Sequence, residues 1–299
     1  MNETANTLRY LFISARPKDW VKNLLVLAPL FFSLSLLKYD LAAKAALAFI
    51  LFCLLSSGVY LLNDIFDRQE DQKHPQKRHR PIASGQLKVS TAAICAVVML
   101  LLSIGLSSFV DFGLRLMALA YLLLNLLYSG FLKKVVILDV FCLAAGFVLR
   151  VVAGALVIDV EMSRWLIICT VLLSLFLGFS KRRHELVLLG TEAASHSRVL
   201  GHYNMLFLDI AIGIVTAATV ISYTLYTISA ETIAKFGSDR LMLTIPFVLY
   251  GVFRYLYLVY RKAEGGNPSH SLLTDLPLMA SVVAWALVAG VILYLGRAW

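Results

Sequence analysis

Residues 42–62 read AAKAALAFILFCLLSSGVYLL, and residues 63–71 continue NDIFDRQED. The first stretch holds a single charge, Lys44, near its start. At 1.5 Å per helical residue it is long enough to cross the ~30 Å hydrocarbon core of a bilayer. The second stretch gathers Asn63, Asp64, Asp67 and Asp71 at the end of that crossing. A membrane helix that delivers an acidic cluster to the bilayer surface is the unit from which the rest of the chain is read.

Working outward, apolar stretches of similar length recur over 21–37, 89–109, 114–132, 136–158, 163–180, 205–228, 241–260 and 277–296. With 42–62 this makes about nine transmembrane helices, the first of them short and interrupted by Pro29. Of the 299 residues 60% are hydrophobic and 15% charged, against roughly 25% charged in a soluble domain. No polar segment is long enough for a separate soluble domain, so residues 1–299 are expected to form one all-α integral membrane domain. Cys53, Cys95, Cys142 and Cys169 all fall inside apolar runs without metal-ligand spacing and read as small apolar side chains.

The net charge of +9 has its explanation in topology rather than nucleic acid. Of the 27 Lys and Arg, 18 fall on the same side of the nine spans as the N-terminus, seven on the other, and Arg150 and Arg254 within spans. By the positive-inside rule the N-terminus is cytoplasmic. The long polar segments 63–88, 181–204 and 261–276 then share that face of an inner (plasma) membrane, and the chemistry belongs there.

If the helix runs on past Leu62, Asn63, Asp67 and Asp71 stand at i, i+4 and i+8 on one face, with Asp64 flanking it. Three carboxylates and an amide oxygen make the hard oxygen set that Mg²⁺ takes when it bridges to a substrate's phosphates and keeps some of its waters. Acidic side chains crowded at the end of a membrane helix repel one another and are costly there. A bound cation offsets that cost. The plainer alternative is a solvated helix end whose carboxylates pair with Arg68 and Lys73. Against it stands the next segment, Lys73-His74-Pro75-Gln76-Lys77-Arg78-His79-Arg80-Pro81, which sets bases beside acids as a metal-bound polyanion requires. Asp64, Asp67 and Asp71 are therefore the expected catalytic, metal-holding group, joined by Asn63. Mg²⁺ is the expected cofactor, with Lys77, Arg78 and Arg80 on the phosphates.

The run Asn63-Asp64-x-x-Asp67-x-x-x-Asp71, followed by Lys77-Arg78-x-Arg80-Pro81-Ile82-Ala83-Ser84-Gly85, resembles the first signature of the UbiA superfamily of intramembrane prenyltransferases. The resemblance covers essentially the whole chain. It implies a helical bundle around a central cavity open laterally to lipid, with the aspartate motif at its mouth holding a diphosphate through Mg²⁺. Three further segments resemble the decaprenyl-phosphate phosphoribosyltransferase branch. They are Arg16-Pro17-Lys18-Asp19-Trp20-Val21-Lys22-Asn23, then Tyr128-Ser129-x-x-Leu132-Lys133 ahead of Asp139 and Arg150, and Lys181-Arg182-x-x-Glu185-Leu186. That branch's reaction, as the resemblance implies, moves 5-phosphoribose from phosphoribosyl diphosphate to a polyprenyl phosphate. The implied partners are those two substrates and the bilayer. A homo-oligomer is compatible with this reading; nucleic acid is not.

Aromatic prenyltransferases of the superfamily carry a second aspartate-rich motif after the sixth span. Here that segment reads Lys181-Arg182-Arg183-His184-Glu185, with Glu185 and Glu192 but no Asp. One acidic cluster suits one metal-bound diphosphate, and a basic second segment suits a lipid phosphate or the sugar's 5-phosphate. The further substrate-binding set is Lys22, Tyr128, Lys133, Asp139, Arg150, Lys181, Arg182 and Glu185. Three of them have a plainer reading: Lys22 as a snorkelling lysine, Tyr128 as an interface aromatic, and Arg150 as a charge needing some partner, since alone in a span it costs at least ~2.5 kcal/mol. Prenyl transfer to an aromatic acceptor is the rival chemistry. A transporter would line a path across the membrane with its charges, whereas these crowd one face.

Overall fold

The computed structural model describes residues 3–190, 198–262 and 266–295, and no strand occurs among them. The chain opens with α1 (Glu3–Ser14), a 3-10 run Pro17–Leu27 and the short α2 (Ala28–Phe32). Then come α3 (Tyr39–Phe66), α4 (Arg68–Lys73), α5 (Val89–Val110), α6 (Phe112–Gly130), α7 (Leu138–Val157) and α8 (Arg164–Leu189). The last five are α9 (Met205–Ile228), α10 (Ala230–Phe236), α11 (Ile245–Arg261), α12 (Pro268–Thr274) and α13 (Leu276–Tyr294). Among the described residues eight stretches are long and apolar enough to cross a membrane: α3, α5, α6, α7, α8, α9, the run Arg240–Arg261 and α13.

The expected ninth, over 21–37, is not one helix. Proline is tolerated only in a helix's first turn, so Pro29 starts α2 afresh instead of riding inside a longer helix, and Leu34 at φ 59° follows the end of α2. The preceding 3-10 run rises ~2.0 Å per residue, so its 11 residues and the five of α2 have a combined contour of about 30 Å, the thickness of the hydrocarbon. Its long 3-10 ladder is supported from outside. The Trp20 indole donates to Ser57 Oγ at 3.0 Å, and the buried Asn23 amide donates to Ser56 Oγ at 3.1 Å and Cys53 Sγ at 3.3 Å. A second departure lies in α8, which runs nine residues past the expected boundary at 180, since nothing from Lys181 to Leu189 breaks a helix before Gly190 (φ 51°).

Contacts divide the chain into two units. The first comprises residues 1–30, 38–135 and 149–160. Its core joins Val26, Leu30, Ala48, Phe52, Leu55, Leu114, Tyr121 and Ala153, all buried. Small residues bring its backbones close: a Cβ on Gly154 would fall 2.0 Å from Val26 O, so only glycine lets the 3-10 run lie against α7. The second unit comprises 31–37, 136–148 and 161–299, with a core of Val140, Phe176, Phe179, Leu208, Ile212, Tyr255 and Leu258. In both, exposed leucines and isoleucines such as Leu101, Ile214 and Leu287 are what a helix presents to lipid, a solvent as apolar as the side chain itself.

Candidate active site

The acidic cluster lies wholly in the first unit. α3 ends at Phe66, Asp67 breaks the helix at φ −88°, ψ 2°, and α4 resumes at Arg68. The negative end of a helix dipole is a poor place for carboxylates, so this turn calls for cations. Asp64 and Asp71 are buried, 2% and 3% exposed. Arg80 Nη1 donates to Asp64 Oδ1 at 3.0 Å and to Asp71 Oδ2 at 2.7 Å, and the Arg16 guanidinium reaches the same Asp64 oxygen. Burial pushes the Asp71 carboxyl above its usual range, against the charges of Arg80 and Lys77.

The grouping differs from the face expected of an uninterrupted helix. Asp64 and Asp71, seven residues apart, are the pair brought to one cation. Asn63 Oδ1 instead accepts from Ser129 Oγ at 2.7 Å, and Asp67 takes Lys133 Nζ at 2.5 Å, with Glu70 at 3.8 Å from the same ammonium. Burial disfavours the Lys133 ammonium, but the Asp67 hydrogen bond and the charges of Asp67 and Glu70 outweigh it and hold its pKa above the ordinary lysine value. Tyr128 is close enough to add to that field.

Arg80 reaches the turn because the 73–88 loop folds back on α3. Ile82 and Leu87 are buried with Leu61, Ala92 and Ala96, and Gln72 Nε2 ties to Ala83 O at 3.1 Å. Arg78 is exposed, with Nε donating to His79 at 3.3 Å, whereas Lys77 is half-buried. The bases that meet the acidic pair directly are thus Arg80, as expected, and Arg16, outside the predicted set. Arg16 sits at φ 53°, ψ 58°, left-handed backbone that costs a non-glycine residue about 1–2 kcal/mol. Nothing in a one-dimensional spacing signals that.

Lys22 pairs with Asp19 at 2.8 Å, three residues back, where a 3-10 helix eclipses side chains. Arg150, 4% exposed, donates from Nε to Asn23 Oδ1 at 2.7 Å and from Nη2 to the Tyr121 hydroxyl at 2.9 Å. Asn23 and Tyr121 escaped the sequence reading, although Asn23 closes the Arg16–Asn23 segment.

The second unit holds a separate buried set. Asp139, fully buried, accepts from Arg182 Nε at 2.6 Å and from the Tyr203 hydroxyl at 2.7 Å, and Arg182 Nη1 reaches Glu185 Oε2 at 2.5 Å. Burial and the Asp139 bond both raise the Tyr203 pKa, keeping it protonated. Arg182 is thus engaged by two carboxylates rather than presented open, and Lys181 lies half-buried beside it on α8. Glu192 lies outside the described residues.

Among the described residues no three His, Cys, Asp or Glu side chains stand close enough to enclose an ion. The fit to Mg²⁺ rests on the acidic pair. Two buried carboxylates aim at one point, and a guanidinium nitrogen, standing in for a cation, sits there. One or two protein carboxylates completed by substrate phosphates and waters is the mode Mg²⁺ prefers.

Against known proteins, the model of the UbiA prenyltransferase family matches residues 26–269. The chain is 31% identical to the decaprenyl-phosphate phosphoribosyltransferase of Mycolicibacterium smegmatis, over 97% of this chain and 94% of that one. It is 34% identical to the protein of the same name from Corynebacterium glutamicum, over 90% and 82%. A UbiA homolog from Archaeoglobus fulgidus, solved bound to GPP and Mg²⁺, shares the fold at a TM-score of 0.70 over 95% of this chain and 99% of that one, with 18% identity.

Proposed function

The chain belongs to the UbiA prenyltransferase family, and from that premise we propose that it transfers 5-phosphoribose from phosphoribosyl diphosphate to a polyprenyl phosphate of the decaprenyl type, releasing diphosphate. The observation that carries this reading is identity of about a third, along nearly the full length of both chains, with relatives named for that reaction. The geometry supports it through a single acidic turn whose two buried carboxylates converge on one cation.

In this mechanism Asp64 and Asp71 are the residues that would hold Mg²⁺, with Asp67 and Asn63 beside them. When bound, the ion supplies positive charge to the departing diphosphate. Arg80, brought in by its folded-back loop, donates hydrogen bonds where negative charge grows as the anomeric carbon–oxygen bond breaks. Lys133, kept charged by Asp67 and Glu70, offers a cation to the sugar's 5-phosphate. The attacking oxygen belongs to a lipid phosphate already ionised at neutral pH, so no general base is needed. It forms the new bond to the anomeric carbon from the side opposite the leaving group, and the configuration inverts. The Lys and Arg distribution supports placing this turn and the N-terminus on the cytoplasmic side of the inner membrane.

The test is incubation of the purified protein with radiolabelled phosphoribosyl diphosphate, polyprenyl phosphate and Mg²⁺, followed by lipid extraction. We expect label in the lipid, abolished by EDTA and restored by Mg²⁺. No labelled lipid, together with transfer from a prenyl diphosphate to a ring acceptor, would replace this reading with prenyl transfer.

A further inference from the structure

Arg16 is held in place more firmly than a surface arginine needs to be. Its left-handed backbone lies between α1 and Pro17, a conformation that a side chain adopts only where its surroundings impose it. The Ser57 hydroxyl shares its proton between Cys53 O at 2.8 Å and Ala15 O at 3.0 Å, the Trp20 indole donates to that same hydroxyl at 3.0 Å, and Asp19 N donates to Arg16 O at 2.8 Å. The guanidinium passes over the Tyr60 ring, 4.9 Å from its centroid, and ends on Asp64 Oδ1, the oxygen that Arg80 also takes. One buried carboxylate oxygen therefore serves two guanidinium groups.

The formal charges of Arg16, Arg80, Asp64 and Asp71 sum to zero. A divalent cation entering on Asp64 and Asp71 would leave two positive charges in excess, with Arg16 competing for an oxygen that the ion needs. A diphosphate arriving with the ion removes both difficulties. It neutralises the excess, and it gives the guanidinium an anionic acceptor in exchange for the carboxylate, a contact at which arginine excels.

We infer that Arg16 couples the two ligands: it competes with Mg²⁺ for Asp64 while no anion is present, and it donates to the diphosphate once ion and anion enter together. This rests on the reading of Asp64 and Asp71 as the metal carboxylates, and it adds a residue and a binding order to that reading. The site then resists free Mg²⁺ and free diphosphate alike and accepts the pair, which is the form in which a diphosphate donor travels in the presence of Mg²⁺.

The test uses the full-length protein in lipid nanodiscs, with Mg²⁺ and inorganic diphosphate as probes and calorimetric titration as the readout. For the wild type, Mg²⁺ affinity should rise at least about fivefold when diphosphate is present, the lower end of ordinary coupling between two ligands. In Arg16→Gln the two effects should part. Mg²⁺ alone binds more tightly than in the wild type, and diphosphate with Mg²⁺ binds roughly tenfold more weakly, the loss expected of one charge-assisted hydrogen bond. Arg16→Gly, whose residue takes left-handed backbone without cost, should behave likewise and keeps the test open should the Gln variant fold poorly. An arginine that merely pinned α1 would lower or leave unchanged Mg²⁺ binding in both variants and leave the coupling intact, and that result overturns the inference alone. A wild type that binds no Mg²⁺ with or without diphosphate overturns the metal site as well.

Discussion

At the scale of single residues, the site turns on which carboxylates are out of water. Asp64 and Asp71 are buried and share a cation, whereas the Asp67 side chain keeps 28% of its surface and leans on Lys133. Replacing Asp64 by Asn keeps the shape and removes the charge. We predict that Asp64→Asn lowers kcat/KM by at least about 10²-fold, the scale of losing one electrostatic contact to a developing charge, while the protein still inserts and elutes as the wild type does. A second prediction concerns the buried Arg150. Asn23→Ala strips an acceptor from its Nε, and leaving a buried donor unsatisfied costs about 1–3 kcal/mol. A thermal-shift assay in nanodiscs should show clear destabilisation, with Asn23→Asp milder. At this scale the sequence was partly legible. Acid and base types clustered along the chain pointed to Asp64, Asp71 and Arg80. Arg16, quoted only as the start of a resembling segment, and Tyr203 received no site role, because their contacts depend on a left-handed corner and on a span of 64 residues.

Among elements, the 3-10 run carries Asp19, Lys22 and Asn23, and through Asn23 it accepts from the buried Arg150. It lies against α7 only because residue 154 lacks a side chain. Gly154→Ala should therefore destabilise the protein by about 1–3 kcal/mol, the range for overpacking a tight contact, and should reduce turnover through displaced Asn23 and Arg150. A stability loss without any change in turnover would mean the run merely fills space. α13 offers a control remote in sequence from the acidic turn. Asp275 caps it by accepting from Leu278 N at 3.0 Å and forms two bonds with Arg254 at 2.8 and 2.9 Å. Asp275→Ala should cost ~1 kcal/mol through the cap and leave turnover alone. The Arg254 hydrogen bond holds the Asp275 carboxyl below the usual carboxylate range. The difference between variant and wild type should thus be full at neutral pH and shrink only as pH falls below ordinary carboxylate values. Element boundaries were legible wherever apolar length decided them, as in α9, which spans residues 205–228 as expected. They were not legible where a helix outlived its apolar stretch, as α8 does to Leu189. Membrane length sets where hydrophobicity stops, not where backbone hydrogen bonding stops.

For the whole molecule, hydropathy fixes the class and a few polar residues fix the chemistry. Among the described residues eight stretches qualify as crossings by length and composition, and the segment expected as a ninth, 21–37, is instead divided between the end of the 3-10 run and the short α2. Among the ion pairs of the described residues, two sets bury their carboxylates around arginine, one in each unit: Arg16, Asp64, Asp71 and Arg80 in the first, Asp139, Arg182 and Glu185 in the second. The first balances two guanidinium groups against two carboxylates, and it is the one at which we propose that a metal ion and a diphosphate take their place. The second sets one arginine against two acids and adds the Tyr203 hydroxyl on Asp139. The account stands on the acidic turn at the end of α3 holding a divalent ion with a diphosphate. Anomalous diffraction from the protein crystallised with Mn²⁺ and diphosphate tests it most directly. A peak within coordinating distance of Asp64 and Asp71, with Arg16 and Arg80 turned onto the anion, is the expected result; no peak at that turn, with both guanidinium groups still on their carboxylates, would contradict it.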